Sequence, residues 1–260
     1  MDDVQTNLNQ SPASSNAASV SSPAEFMADF FARLQSESEK NQLQLVQELA
    51  NKGDSGLEVL MTWLQERRHS AAGFSPSMVD GKVHQLLMAA NSPATQSFLE
   101  TQLADGLAPW RSQSGVDFAL LAQLLAKQEY QAADKLTLEL MCQLVGDTAL
   151  QRRWIYFTEV DKLSVADLRT INTLWLIYSE GRFGFSVQRD LWLSTGRNWE
   201  RLWEMIGWKQ GINWTRYPGG FTWSLNAPRG HLPLSNQLRG VRFIAALFSH
   251  PAWLKDTPSE

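Results

Sequence analysis

Six cations fall between Glu204 and Asp256 with no acidic residue among them: Lys209, Arg216, Arg229, Arg239, Arg242 and Lys255. Interleaved with them are Trp208, Trp214, Tyr217, Phe221, Trp223, Phe243, Phe248 and Trp253. Broad apolar faces with fixed positive charge beside them suit a ligand that is mostly hydrocarbon and carries carboxylates or phosphates at its rim. The same composition has a plainer use, with tryptophans filling a core and arginines on a solvated face. From the residues alone that plainer use is the commoner one, and both readings stay open. Aromatics and arginines can also stack on unpaired bases. A nucleic-acid partner is disfavoured by a pI near 5.6 and by the lack of Lys/Arg clusters beyond Arg67-Arg68 and Arg152-Arg153.

Other reactive groups are sparse. Glu159 and Asp161 straddle an expected helix end and form the one carboxylate pair suited to acid–base work, although nothing in the sequence places them in a cleft. His69, His84, His231 and His250 lack metal-ligand spacing. His69 and His84 are expected on the surface. His231, in GHLP, is the only histidine within the aromatic segment, where an axial-ligand or carboxylate-partner role competes with structural hydrogen bonding, the preferred reading. Cys142 is the only cysteine, so one chain can build no internal disulfide or multi-cysteine metal cluster. On an expected helix it reads as a small buried thiol. Phosphate-loop, dinucleotide-fingerprint, zinc-helix and nucleophile-elbow motifs are all missing, which favours a binding or regulatory protein over an enzyme.

The elements that must position these residues are helical. Ser-Pro pairs at Ser22-Pro23, Ser75-Pro76 and Ser92-Pro93 mark helix starts. Capping boxes are expected at Ser22/Glu25, Ser55/Glu58, Ser114/Asp117 and Ser164/Asp167. Leu45 to Leu64 reads as helix, Gly-marked turn and helix, like one hairpin of a helical repeat. Tyr130 to Val145 forms another helix, and a last one runs from about Ser235 through Phe248, ending before Pro251. Between them Gly207 to Leu234 is a long loop, with INWTRYPGGFTWSL as a possible hairpin site. Charge divides the chain: residues 1–150 hold 9 Lys+Arg against 18 Asp+Glu, and residues 151–260 hold 14 against 9. Residues 1–22 read as a disordered tail, too poor in apolar side chains to offset the entropy of ordering and without the basic residues of a targeting segment. Residues 23–110 read as an N-terminal helical bundle and residues 115–255 as a second domain. No apolar run approaches the roughly 20 residues that span a bilayer.

The blocks YQAADKLTLELM, RRWIYFTEVDKLSVADLRTINTLWLIYSEGRFGFSVQRDLW and IGWKQGINWTRYPGGFTWSLNAPRGHLPLSNQLRG resemble the genomes-uncoupled tetrapyrrole-binding family over about Gln123 to Trp253. The resemblance implies an all-α architecture in which residues 115–255 form a cupped, greasy tetrapyrrole-binding domain with flexible loops. It further implies protoporphyrin IX and Mg-protoporphyrin IX as ligands, no catalysis by the chain itself, and stimulation of magnesium chelatase through its large porphyrin-binding subunit in chlorophyll biosynthesis. An N-terminal bundle without a transit peptide or plant-type C-terminal extension looks like the cyanobacterial arrangement, and implies a cytoplasmic location, with peripheral membrane association left open. Carried over residue by residue, Trp214, Tyr217 and Phe221 would contact the macrocycle, and Arg239 and Arg242, three apart on one helix face, would grip the propionates. Arg229 and Lys209 are secondary cations, Phe157 and Val160 the cavity floor, and His231 a further contact; Phe183 and Phe185 are scaffold. No protein ligand to magnesium is expected. Leu138 stands where some members carry a basic residue, and Tyr217 replaces a Trp. The competing functions are a helical protein-interaction adaptor, a general tetrapyrrole carrier, or an enzyme using Glu159 or Asp161.

Overall fold

A computed structural model describes residues 23–70, 74–110, 112–235 and 240–254, with side chains from Met27 onward. The expected tail and Arg239 lie outside the described residues. The fold is all-α, as expected: among the described residues the only sheet is a pair of two-residue strands. Contacts divide the chain into Met1–Ser36 and Glu37–Glu260. The first unit contains α1 (Pro23–Ser36), which carries adjacent Phe30 and Phe31 rings 6.0 Å apart.

The second unit begins with α2 (Glu39–Ala50), α3 (Asp54–Arg68), α4 (Met78–Ala90) and α5 (Pro93–Gln102). The expected helix–turn–helix of Leu45 to Leu64 is α2 and α3, joined at Gly53, whose φ of +75° suits a residue without Cβ. Ser92 caps α5 and forms a box with Thr95. The α4 cap is Ser77 rather than Ser75, because Asp80 returns a bond to the Ser77 N–H at 2.7 Å while Arg67 grips the same carboxylate at 2.7 and 3.0 Å. Neither Ser55/Glu58 nor Ser114/Asp117 forms a cap: α3 starts at Asp54, and the Ser114 hydroxyl instead donates to Asp167.

The chain continues through α6 (Ala119–Ala126), α7 (Tyr130–Val145), α8 (Asp147–Arg152), a 3₁₀ turn (Phe157–Lys162), α9 (Val165–Ile177), α10 (Phe185–Ser194) and α11 (Trp199–Met205). After β1 (Lys209–Gln210) and β2 (Asn213–Trp214) come α12 (Arg242–Ser249) and a 3₁₀ turn (Pro251–Trp253). The sheet pairs Lys209 with Trp214, so the hairpin turns at Gly211-Ile212, at the start of the expected INWTRYPGGFTWSL site rather than within it. α12 starts at Arg242, later than the expected Ser235.

α9 is the central strut. Ser164 caps it as expected, and Asp167 accepts from Ser112 Oγ (2.5 Å), Gln113 N (3.0 Å), Ser114 Oγ (2.8 Å) and Ser164 Oγ (2.7 Å), tying the loop before α6 to the helix. α4 packs directly on α9. Gly81 makes that possible, since a Cβ there would lie 2.5 Å from Ile177 Cγ2 and from its carbonyl oxygen. Around this contact Gln85 donates to Tyr178 O, Tyr130 OH donates to the same carbonyl, and Lys82 pairs with Glu180 at 2.8 Å. His84 is therefore buried rather than on the surface, with Nδ1 3.0 Å from the Tyr178 hydroxyl. Burial, aided by Arg68, lowers its pKa to about 4. His69 is exposed, and Cys142 is a buried thiol whose pKa burial pushes up to about 11.

Candidate functional site

α7, the segment Trp154–Phe157 and the start of α12 enclose a cavity of ≈ 380 Å³. Its walls are Thr137, Leu138 and Met141 from α7, Trp154, Ile155, Tyr156 and Phe157, then Phe185, Leu234, Ser235, Arg242 and Phe243. Helical spacing explains the first set: residues 137, 138 and 141 share one face. Thr137 is anchored by accepting from Trp175 Nε1 at 3.0 Å while donating to Ala133 O. α12 is held against α10 by Arg189, whose Nε donates to Phe248 O at 2.8 Å.

Several large apolar side chains here face solvent. Leu138 is 39% exposed, Phe157 41% and Tyr156 45%. Arg242 lies over the Phe157 ring, 5.5 Å from its centroid, and makes no ion pair among the described residues. It is the one cation in the described cavity lining. A second cation, Arg152, stands behind the aromatic wall, stacked 4.7 Å from Trp154 and 4.3 Å from Tyr156. Its Nη2 is 2.5 Å from Glu159, so its charge is already neutralised and its role is to brace the two rings. The Tyr156 N–H bond, with Arg152 and Lys162, holds the Glu159 carboxyl below the usual carboxylate range, despite an opposing effect of burial. Such a group is a poor proton donor, which removes the best acid of the Glu159/Asp161 pair.

The segment ending in Leu234 and Ser235 is fastened by Asp134, which accepts from the Leu234 N–H at 2.6 Å. Burial pushes the Asp134 carboxyl up to about 7, with the Leu234 bond opposing the shift.

Residues 111–251 match the family described as GUN4-like, and residues 18–103 match the family described as ARM-like repeat domain, GUN4-N terminal. The chain belongs to the GUN4-like family. A Ycf53-like protein of Synechocystis sp. is 42% identical over 227 residues, 87% of this chain and 96% of its own length. The chloroplastic tetrapyrrole-binding protein of Arabidopsis thaliana is 37% identical over 145 residues, 52% of this chain and 55% of its own. The structure of GUN4 from Chlamydomonas reinhardtii aligns with a TM-score of 0.52 at 38% identity, covering 55% of this chain and 91% of that one.

Within the GUN4-like segment, the residues expected to meet a ligand fall in three places. Phe157 and Arg242 meet at the cavity, with Val160 fully buried and outside its lining. Trp214 and Phe221 belong instead to an aromatic core with Trp203, Trp208 and Phe248. Trp203 and Trp208 stack there at 5.4 Å and 5°. Lys209 lies over the Trp214 ring and pairs with Glu200, so it is not a free cation. His231 is committed on both ring nitrogens: Nδ1 is 2.6 Å from Ile206 O and Nε2 accepts from Thr222 N–H at 3.1 Å. Burial lowers its pKa, with the Ile206 carbonyl opposing. A neutral ring protonated on Nδ1 satisfies both contacts and leaves no lone pair for an axial ligand. Tyr217 is 56% exposed beside Trp223 on a separate shallow groove, and Arg229 is exposed.

The cavity side chains missed from sequence are Thr137, Met141, Trp154, Ile155, Tyr156, Leu234, Ser235, Phe243 and Phe185 as lining, the last expected as scaffold, and Arg152 as brace. The signal available was RRWIYF: Arg next to alternating aromatics just after a helix, with more apolar surface than a connecting loop needs.

Proposed function

We propose that this chain binds protoporphyrin IX and Mg-protoporphyrin IX in the cavity between α7 and α12, and that the loaded protein stimulates magnesium chelatase as a non-catalytic regulator. The carrying observation is the pairing of an exposed apolar wall with one arginine at its edge that makes no ion pair among the described residues. A porphyrin fits that donor set, because its flat hydrocarbon face matches Leu138, Trp154, Tyr156 and Phe157, and a propionate can accept a bidentate bond from Arg242. The name of the Arabidopsis relative supports the ligand class.

The residues act by binding and orienting. The aromatic wall removes one porphyrin face from water, which contributes roughly 25 cal/mol per Å² of apolar surface covered. Arg242 sets which edge points outward. Arg239, outside the described residues, is proposed as the second propionate partner on sequence grounds, with Arg229 too exposed to be more than a peripheral charge. For Mg-protoporphyrin IX the macrocycle already supplies four nitrogens, and water suffices as axial ligand, so His231 is not needed. Cytoplasmic location in a cyanobacterial-type cell and action through the chelatase's large subunit complete the proposal. Among the described residues no helix is long and apolar enough to cross a membrane.

The test is chelatase turnover with protoporphyrin IX as substrate, measured with and without the protein. Stimulation that wild type gives and a Leu138→Asp variant loses supports the reading. Stimulation without any porphyrin binding by the chain would instead favour a protein-interaction adaptor.

A further inference from the structure

A second, larger cavity of ≈ 670 Å³ lies where α4 and α5 meet α6. Its apolar lining comes from Met88, Leu99, Leu103, Leu120 and Ala126, and Leu120 is half exposed. A void of this size is in the range of small-molecule sites, roughly 300–1,000 Å³. Filling it with solvent leaves greasy walls wet, a state that a ligand of matching chemistry relieves.

Its polar groups narrow that chemistry. Trp110 lines the cavity, and its Nε1 is buried without a hydrogen-bond partner among the described residues. Buried indole N–H groups ordinarily find an acceptor, so an orphan donor at a cavity wall asks for one from outside the chain. The buried His84–Tyr178 pair also lines the cavity. The imidazole is neutral at physiological pH, since burial keeps its pKa near 4. The charged residues in the described lining are Asp105 and Asp117, with no Lys or Arg. Anions are therefore disfavoured here, in contrast to the Arg242 cavity.

We propose that this cavity is a second ligand site, taking a neutral, mostly hydrocarbon molecule whose carbonyl or ester oxygen accepts from Trp110 Nε1–H. The site is independent of the porphyrin reading, because none of its lining residues belongs to the Arg242 cavity. It joins the two family segments, with Met88 and Leu99 from the N-terminal match and Leu120 and Ala126 from the GUN4-like match. Occupancy would thereby tie the helical-repeat portion to the rest of the second unit.

The experiment uses prodan, a neutral naphthalene ketone whose emission shifts to the blue when its carbonyl leaves water. Full-length protein is titrated as wild type, Trp110→Phe, Gln123→Trp and Leu138→Trp, each checked for wild-type helicity and thermal midpoint. Trp110→Phe keeps an aromatic ring, though a smaller one, and removes the donor, and should weaken binding about 3- to 10-fold. Gln123→Trp, at an exposed lining position on α6, should block the cavity and abolish the shift. Leu138→Trp narrows the Arg242 cavity and should leave binding unchanged. Absence of saturable binding to wild type overturns the proposal, as does equal binding to all four proteins or loss confined to Leu138→Trp.

Discussion

Replacing Asp134 with Asn should make the protein more stable, and by clearly more at pH 8 than at pH 5. The carboxyl is buried on α7, and its pKa stands at about 7 against an ordinary value of 3.8, because burial penalises the charged form more than the Leu234 N–H bond favours it. A folded-state pKa above the unfolded one means that the native protein holds the extra proton between those two values. Stability from this group is complete below about pH 4, declines as pH rises through the folded pKa, and is constant above it. The size over the whole range is on the order of 4 kcal/mol, from 1.36 kcal/mol per pKa unit, as a ceiling that local water entry reduces; about 3 kcal/mol of it falls between pH 5 and pH 8. Asn keeps an oxygen that can accept from the Leu234 N–H and carries no charge to bury. Urea denaturation at pH 5 and pH 8, for both proteins, measures the effect as a difference of differences. His84 acts in the opposite direction, its depressed pKa removing stability as pH falls below about 6.5, but it is common to both proteins and cancels. An Asn variant less stable than wild type at pH 8, or one with the wild-type pH dependence between 5 and 8, would refute the reasoning. Because Leu234 and Ser235 line the porphyrin candidate, the same titration governs how firmly that wall is fixed.

Two further substitutions test the frame that holds the cavity. Asp167→Ala removes an acceptor of four bonds and should lower stability at pH 7 by about 3 kcal/mol, read by denaturant midpoint. Burial opposes charge at Asp167, but donors from Ser112, Ser164, Ser114 and Gln113 win and keep its pKa low, so this loss should shrink as pH falls below about 4. Gly81→Ala drives a methyl against the Ile177 side chain and carbonyl; thermal unfolding should show a cost of about 1–3 kcal/mol or more.

How far the sequence carried depended on whether a feature is local. The α7 limits at Tyr130 and Val145 follow from apolar periodicity, and the Ser92 and Ser164 caps from side chains that bond within three residues. The expected start at Ser75 gave way to Ser77, whose partner Asp80 is gripped by Arg67 from another helix. The aromatic side chains divided on tertiary grounds: Trp208 and Phe221 filled a core, while Trp154 and Tyr156, for which sequence alone suggests no role, became the cavity wall. His84 lies one residue from the buried Val83 and three from the buried Leu87, yet its polar type suggested a surface position. Only the α4–α9 contact, with Tyr178 opposite, gives its ring a partner. Concavity itself has no sequence period, so the meeting of Phe157 with Arg242 came from the packing of a 3₁₀ turn on α12.

The most direct measurement is a tryptophan-quenching titration of wild type and Arg242→Ala with deuteroporphyrin IX, repeated with the same macrocycle capped as neutral amides. The account requires saturable binding of the diacid by wild type, about tenfold weaker binding by the folded variant, and equal affinities of the two proteins for the capped macrocycle. Unchanged diacid affinity in Arg242→Ala, or no binding by wild type, would contradict it.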